Sequence, residues 1–263
     1  MMKSLVYSLA FCLLLCSCGW GIGDDVEAEA SDSLDVDTIA MEELDLFDDA
    51  PIPDAADKLF DDFFYSYVTD ESYRTERTTS GLSFNAFDDM PEAVFSIVYE
   101  REEDLELAKD TSVNEVSVEM IDWSDDRIVR YRFNRNNEGK WYLTGTEDDH
   151  IDNTPNAGFF AFMHDFVTDS LYQHESIEFP LQYTLYSYED AETIHTSFEP
   201  DEWNALCDEL PDLSEKIVSV DYGQTIISQN RKSVQLKGLV NSMAIKFHFV
   251  FSSGRWRLVQ MES

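Results

Sequence analysis

The chain carries one stretch twice, as FDDFFYSYVTDESYRTERTTSGLSF at residues 60–84 and as FFAFMHDFVTDSLYQHESIEFPLQY at residues 159–183. Aligned 99 residues apart, the copies share Phe60/Phe159, Phe63/Phe162, Val68/Val167, Thr69/Thr168, Asp70/Asp169, Tyr73/Tyr172, Glu76/Glu175 and Leu82/Leu181. Such a match between two halves of one chain predicts a duplicated structural unit.

Each copy spaces four large apolar residues as i, i+3, i+4 and i+7, which predicts a helix with one apolar stripe. These residues are Phe60, Phe63, Phe64 and Tyr67 in the first copy, and Phe159, Phe162, Met163 and Phe166 in the second. The Asp of the following Thr-Asp pair, Asp70 or Asp169, is placed to cap a short second helix. In the second copy, Pro180 is expected to end that helix.

Both halves continue in a similar order. A further helix is predicted to start at Pro91 and at Pro200, since proline suits the first helical position. Alternating strands are predicted at residues 116–119 and 218–221, followed by hairpins that turn at Gly139 and Gly254. An insertion at residues 223–241 is expected to add a hairpin to the second half.

Helices followed by strands indicate the α+β class, with helices packed on one face of a curved antiparallel sheet. The predicted units, residues 57–149 and 155–263, are each long enough for a core of their own. This element order resembles the cone-shaped fold of nuclear transport factor 2 (NTF2) and ketosteroid isomerase, present twice in tandem.

The chain also resembles a bacterial lipoprotein family known as domain of unknown function 4348. The resemblance rests on helically spaced aromatics, an Asp, the pair Tyr172-Gln173 and the turn Phe179-Pro180-Leu181. Ser176 replaces the basic residue of the family pattern, which the first half keeps as Arg77. The resemblance implies the fold and no known activity.

The N-terminal residues read as an export signal. Residues 1–17 combine a positive charge with an apolar core too short for a stable membrane anchor. The sequence Leu15-Cys16-Ser17-Cys18 resembles a lipobox, which would place a lipid on Cys18 and the protein in the cell envelope, as a surface-exposed or periplasmic outer-membrane lipoprotein. The alternative is an ordinary secretory signal. Residues 18–56, with twelve acidic residues between Asp24 and Asp49 and no Lys or Arg, are expected to form a disordered tether.

The formal net charge of the chain is −36. A strongly acidic protein lacks the cationic surface that nucleic acid requires, so nucleic acid is excluded as a partner. A small molecule, a glycan or another protein remains a candidate ligand. The protein is expected to be attached to the membrane through its N-terminal lipid. Cys207 is the one cysteine after Cys18, which excludes an intrachain disulfide in the mature chain and favours a buried apolar role.

No catalytic signature, metal-binding motif or cofactor motif is present, and His195 and His248 have no identifiable partner in the sequence. In ketosteroid-isomerase-like cones an Asp and a Tyr work in an apolar pocket at the open end of the sheet. By that analogy, the candidate pocket residues are Asp70, Tyr73, Asp169, Tyr172, His174 and Glu175. The alternative is that the aspartates cap helices and the tyrosines belong to the core.

These observations favour a lipid-anchored protein that binds a small molecule, glycan or protein without catalysis. A pocket enzyme with Asp/Tyr or Asp/His acid–base chemistry is the first alternative, and a structural envelope scaffold is the second. Cavity volume separates these hypotheses, because a scaffold would fill its cones with its own aromatic side chains.

Overall fold

The computed structural model describes residues 57–88, 93–187, 191–207, 209–228 and 230–263. The predicted signal peptide 1–17, the lipidation site Cys18 and the whole tether 18–56 lie outside these ranges. Among the helices of the described ranges, none is long and apolar enough to cross a membrane.

The α-helices are α1 (Phe60–Thr69), α2 (Glu71–Glu76), α3 (Ala157–Thr168), α4 (Ser170–Glu175) and α5 (Pro200–Cys207). The strands of the first half (57–149) are β1 (Val94–Tyr99), β2 (Glu115–Asp122), β3 (Arg127–Arg135) and β4 (Trp141–His150). Those of the second half (155–263) are β5 (Ile177–Ser187), β6 (Glu192–Phe198), β7 (Lys216–Asp221), β8 (Arg231–Gly238), β9 (Ala244–Ser252) and β10 (Arg255–Glu262). Within the described residues, 3₁₀ helices also cover Glu102–Lys109 and Ile151–Asn153. The α+β class is confirmed.

All of these strands belong to one ten-stranded sheet, in the order β4-β3-β2-β7-β1-β8-β9-β10-β5-β6. The first-half strand β1 pairs with β7 and β8, which both come from the second half. In turn, β7 pairs with β2 of the first half. The two halves therefore exchange β1 and β7, and the predicted separate sheet for each half is wrong.

The sequence of β1 explains its central position. Its residues VFSIVY are buried at all six positions, and a strand covered on both faces belongs in the interior of a sheet. The sequence predicts a helix starting at Pro91 through this stretch, and the structure contradicts it at Val94–Tyr99. A short apolar run of this kind has no periodicity that separates a buried strand from a buried helix.

Two other predictions also need correction. Helix α4 ends at Glu175, and Pro180 lies within β5 after a cis peptide bond to Phe179, so Pro180 does not end the helix. The insertion 223–241 contributes the single strand β8, not a hairpin of its own, because both neighbours of β8 are already available in β1 and β9. The helix at Pro200 and the turns at Gly139 and Gly254 are confirmed.

The helices of the two halves cover opposite faces of the sheet. Leu236 and Lys237 are neighbours in β8, and successive residues of a strand point to opposite faces. Lys237 Nζ donates to Asp61 Oδ2 of α1 at 2.6 Å, whereas Leu236 lines a cavity together with Met163 of α3. The sheet therefore has one core on each side.

The repeated stretch packs in the same way in both cores. The Phe60 and Trp141 ring centroids are 5.2 Å apart, and those of Phe159 and Trp256 are 5.1 Å apart, both edge to face. The equivalent pairs Phe63–Trp141 and Phe162–Trp256 both have ring centroids 6.3 Å apart. The centroids of Tyr67 and Phe133 are 5.2 Å apart, and those of the equivalent Phe166 and Phe249 are 5.5 Å apart. The apolar stripe predicted from the spacing thus forms the centre of each core.

A buried ion pair fixes the start of the described chain to the first core. Arg77 Nη1 and Nη2 donate to the two carboxylate oxygens of Asp57 at 3.1 and 3.3 Å. The Trp141 N–H of β4 donates to the same carboxylate at 3.2 Å. Loss of one partner of such a pair strongly destabilises the folded protein, because the other charge stays buried without a partner. The second half, with Ser176 at the equivalent position, has no counterpart charge there.

The two repeated aspartates are helix caps. Asp70 Oδ1 accepts hydrogen bonds from the N–H groups of Ser72 and Tyr73 at 2.8 and 2.9 Å. Asp169 Oδ1 accepts the equivalent bonds from Leu171 and Tyr172 at 2.9 and 3.0 Å. These bonds satisfy N–H groups at the starts of α2 and α4, which have no partner within the helix.

The strand exchange predicts that neither half folds alone. Residues 57–149 and 155–263, produced separately, should each lack a cooperative melting transition, because β1 and β7 would each lose neighbours on both sides. Production of the two pieces together should restore the transition by letting the strands pair. Thermal melting followed by circular dichroism measures this. Two separate pieces that each melt cooperatively would contradict the exchange.

Loss of the Asp70 cap should destabilise the fold by about 1 kcal/mol, within a range of roughly 0.5–2 kcal/mol. Asp70→Ala removes the acceptor, whereas Asp70→Asn is the matched control because Asn also caps helices. Urea unfolding near neutral pH measures the difference, and equal stability of Asp70→Ala and the wild type would refute the role.

The same cap makes a prediction about pH. The Tyr73 N–H first, and then the Ser72 hydroxyl, lower the pKa of Asp70 below its ordinary value of 3.8. A carboxylate with a lowered pKa stabilises the folded state above that ordinary value, and the contribution disappears as the pH falls through the lowered pKa. The stability difference between wild type and Asp70→Ala should therefore shrink in acid.

Candidate functional site

A cavity of about 320 Å³ opens in the second half. It lies between α3, α5 and one face of β8 and β9. Its volume is within the range of small-molecule sites. Its lining is predominantly apolar: Met163, Phe166, Val167, Gln173, Trp203, Cys207, Leu210, Pro211, Asp212, Leu213, Val234, Leu236, Phe247 and Phe249.

Gln173 is the central polar group of this lining. Its Oε1 accepts hydrogen bonds from Trp203 Nε1 at 3.2 Å and from Cys207 Sγ at 3.3 Å. Its Nε2 donates to the Phe166 carbonyl at 3.0 Å, which uses one of the two Nε2 protons. The amide is therefore held in one orientation by α3 and α5, and the second Nε2 proton is the hydrogen-bond donor that it can offer a ligand.

The rim of the cavity is held by the first half of the chain. Residues 210–213 form this rim, and Trp123, which follows β2, donates from Nε1 to the Leu213 carbonyl at 2.9 Å. The Trp123 N–H also donates to the Glu215 carbonyl at 3.1 Å. The Trp123 ring lies 5.7 Å from the ring of His164 on α3. A residue of one half thus positions the entrance to a cavity in the other.

Two titratable groups belong to the lining. Asp212 is exposed at the rim, and hydrogen bonds from the Ser214 hydroxyl and N–H lower the pKa of its carboxyl. Cys207 is partly buried and is not in a disulfide. The entrance therefore carries a negative charge, and the interior is apolar except for Gln173, the Trp203 N–H and the Cys207 thiol.

The equivalent region of the first half is filled. Phe64 and Tyr67 occupy the helix positions of the cavity-lining Met163 and Phe166. The Phe84 ring lies 5.9 Å from Phe64, 5.3 Å from Tyr67 and 4.7 Å from Tyr131 between ring centroids. Phe87 packs beside Phe64 and Phe84 in the same cluster. Aromatic side chains therefore fill this region of the first core, whereas the second core contains the cavity.

None of the sequence-predicted pocket residues lines the cavity, and Asp70 and Tyr73 lie in the first half, whose core is on the opposite face of the sheet. Asp70 and Asp169 are the caps described above. Tyr73 is buried in the first core, where burial raises its pKa to about 12. The Tyr172 and Phe162 ring centroids are 6.2 Å apart, those of His174 and Phe179 are 5.1 Å apart with the rings tilted, and Glu175 is exposed.

Sequence reasoning missed the residue that matters most here, Gln173. Its signal is the pair Tyr172-Gln173 of the family pattern, whereas the sequence prediction names its two neighbours, Tyr172 and His174. Its partners Trp203 and Cys207 come from α5, 30 and 34 residues away. The spacing of the sequence does not show that contact.

Comparisons with known proteins agree with this fold. The chain is similar to the solved structure of an NTF2-like protein from Bacteroides fragilis NCTC 9343. The two are 26% identical over 81% of this chain and 98% of that chain, with a TM-score of 0.69. A second solved structure, an NTF-2 like protein of unknown function from Silicibacter pomeroyi DSS-3, is 14% identical over 40% of this chain and 91% of that chain. Its TM-score of 0.25 is too low to support an argument.

A search of curated proteins gave no match. The family model described as a domain of unknown function, DUF4348, matches residues 85–263. This range includes β1, the second copy of the repeated stretch and the whole cavity lining. The chain therefore belongs to the DUF4348 family, and its α+β fold is similar to that of an NTF2-like protein.

Proposed function

We propose that the second half binds a small, predominantly apolar molecule in its cavity without changing it chemically. The observation that carries this proposal is the difference between the two cones, since Phe84 and Phe87 fill the first and about 320 Å³ stays open in the second. A cavity of this size, apolar with a few convergent polar groups, is typical of a ligand site.

The lining supports binding better than acid–base catalysis. Catalytic acids and bases need a pKa near the working pH, which burial in an apolar pocket can provide. Among the described residues that line the cavity, Asp212 is the carboxylate, and it is exposed with a lowered pKa. The ketosteroid-isomerase-like alternative would require a buried carboxyl group with a raised pKa at this position.

We also infer that the chain consists of two NTF2-like units that share one sheet and have divided their roles. The equivalent ring pairs around Trp141 and Trp256 support a common origin. The filled first unit provides structural support, since its Trp123 holds the rim of the second unit's cavity. The second unit keeps the binding space.

The protein is, on this proposal, anchored to the cell envelope by a lipid on Cys18. The support is the apolar run that ends in Leu15-Cys16-Ser17-Cys18, followed by the acidic segment 18–56. Acyl chains bind a membrane at about 0.8 kcal/mol for each buried methylene, so more than one chain gives stable attachment. The acidic segment would then act as a spacer between the membrane and the binding unit.

Filling the cavity should weaken binding. The purified chain is titrated with the apolar fluorophore N-phenyl-1-naphthylamine, and saturable enhancement of its fluorescence is expected. Val167→Phe places a ring in the cavity and should weaken binding at least tenfold, which corresponds to about 1.4 kcal/mol.

Val68→Phe is the matched control because Val68 holds the equivalent position in the filled first half. It should leave binding unchanged, even where overpacking costs about 1–3 kcal/mol of stability. Absence of saturable binding to the wild type, or an equal loss of binding in both variants, would overturn the proposed function.

Replacement of Cys18 by Ala should release the protein from membranes. The change removes the thiol that would carry the lipid and leaves the folded residues intact. Fractionation of a lipoprotein-processing bacterial host measures the distribution, with Cys16→Ala as the control that should stay with the membranes. Membrane association of Cys18→Ala equal to that of the wild type would refute lipidation at this residue.

A further inference from the structure

A second group of chemically active side chains lies on the sheet face opposite the cavity. His248 of β9 alternates with the cavity-lining Phe247 and Phe249, so its side chain points away from the cavity. Glu262 of β10 lies on the same face, and Glu102 reaches it from the 3₁₀ helix of the first half. One ligand atom from each of these three residues lies within 4.8 Å of the others.

His248 is held in place by a buried neighbour. The Ser233 hydroxyl of β8 lies 2.8 Å from His248 Nδ1, and Ser233 is 9% exposed. A hydrogen bond at one ring nitrogen fixes the ring and directs the other nitrogen outward, as occurs in histidines that bind metals. Here the other nitrogen, Nε2, points towards Glu262.

The Nε2 atom is buried and makes no hydrogen bond within the described chain. It lies 3.3 Å from Glu262 Oε1 without the alignment of a hydrogen bond. If Nδ1–H donates to Ser233, Nε2 carries a lone pair that faces a carboxylate oxygen, and two acceptors at this distance repel each other. A cation bound between these two atoms would be coordinated by both of them, and the repulsion would be removed.

The net charge of the cluster favours a bound cation. Glu102 and Glu262 supply two negative charges, and Lys246 Nζ supplies one positive charge at 2.7 Å from Glu102 Oε2 and 3.5 Å from Glu262 Oε2. The Tyr99 hydroxyl donates to Glu102 Oε1 at 3.0 Å. With a neutral His248, the cluster therefore keeps one negative charge.

We propose that Glu102, His248 and Glu262 form a binding site for a divalent transition-metal ion, for which Zn²⁺ is the probe. One imidazole and two carboxylates are a ligand set that Zn²⁺ accepts, and three protein ligands leave a fourth position for water. Ligand atoms of a tetrahedral zinc site lie roughly 3.3–3.5 Å apart, because each bond is about 2.0–2.1 Å long. The Nε2–Oε1 separation of 3.3 Å already fits this spacing.

Glu102 completes the site by a small movement. Its side chain is 55% exposed, so it can approach the ion from the solvent side by exchanging the contact of Oε2 with Lys246 for the ion. The ion would join the 3₁₀ helix of the first half to the last two strands of the second half. The site is independent of the cavity, since it uses the other face of β9.

The test is isothermal titration of the metal-free purified chain with Zn²⁺, together with its melting temperature. One saturable site and a higher melting temperature are expected. His248→Ala and the nearly isosteric Glu262→Gln should each weaken binding at least tenfold. Ser233→Ala, which removes only the group that orients the ring, should weaken it about 10–100-fold.

Two further variants complete the test, one that should bind Zn²⁺ more tightly and one that serves as the control. Lys246→Met removes the competing ammonium and should tighten Zn²⁺ binding. His195 is exposed on the edge strand β6, so His195→Ala is the matched control and should bind as the wild type does. Absence of a saturable site, or equal affinity in wild type and Glu262→Gln, would overturn the proposal.

Discussion

The whole structure depends on the backbone hydrogen bonds of β1. This strand is buried on both faces and pairs with β7 and β8 of the other half. Because a buried backbone group without a partner costs free energy comparable to a lost hydrogen bond, β1 requires both neighbours. This one requirement turns two similar sequence halves into one continuous sheet, and it places their helices on opposite faces.

The exchange also gives the two halves different tasks. The first half fills its core with Phe84 and Phe87, supplies a central strand and holds the cavity rim through Trp123. The second half contains the cavity, whose polar interior is fixed by the hydrogen bonds of Gln173. A rigid, solid partner unit is a suitable support for a cavity, because binding sites are most accurate when neighbouring packing fixes their side chains.

Local features of this fold were predictable from sequence, and pairings between distant residues were not. The aromatic stripe, the caps at Asp70 and Asp169 and the closing turns depend on spacing within a few residues, which the sequence displays directly. The helical interpretation of β1 was wrong because a short apolar run fits either structure. The cavity depends on which side chains meet across the sheet, and the contacts of Gln173 and His248 join elements far apart in the chain.

The pairing of β1 also affects the order in which the chain can fold. The Ser96 hydroxyl of β1 donates to the Val218 carbonyl of β7, 122 residues later. Structures dominated by such distant contacts fold slowly, because the entropy of closing a long loop is lost before the contacts form. During synthesis, the hydrophobic strand β1 therefore stays unpaired until β7 and β8 emerge, and in that interval its apolar residues are exposed to aggregation.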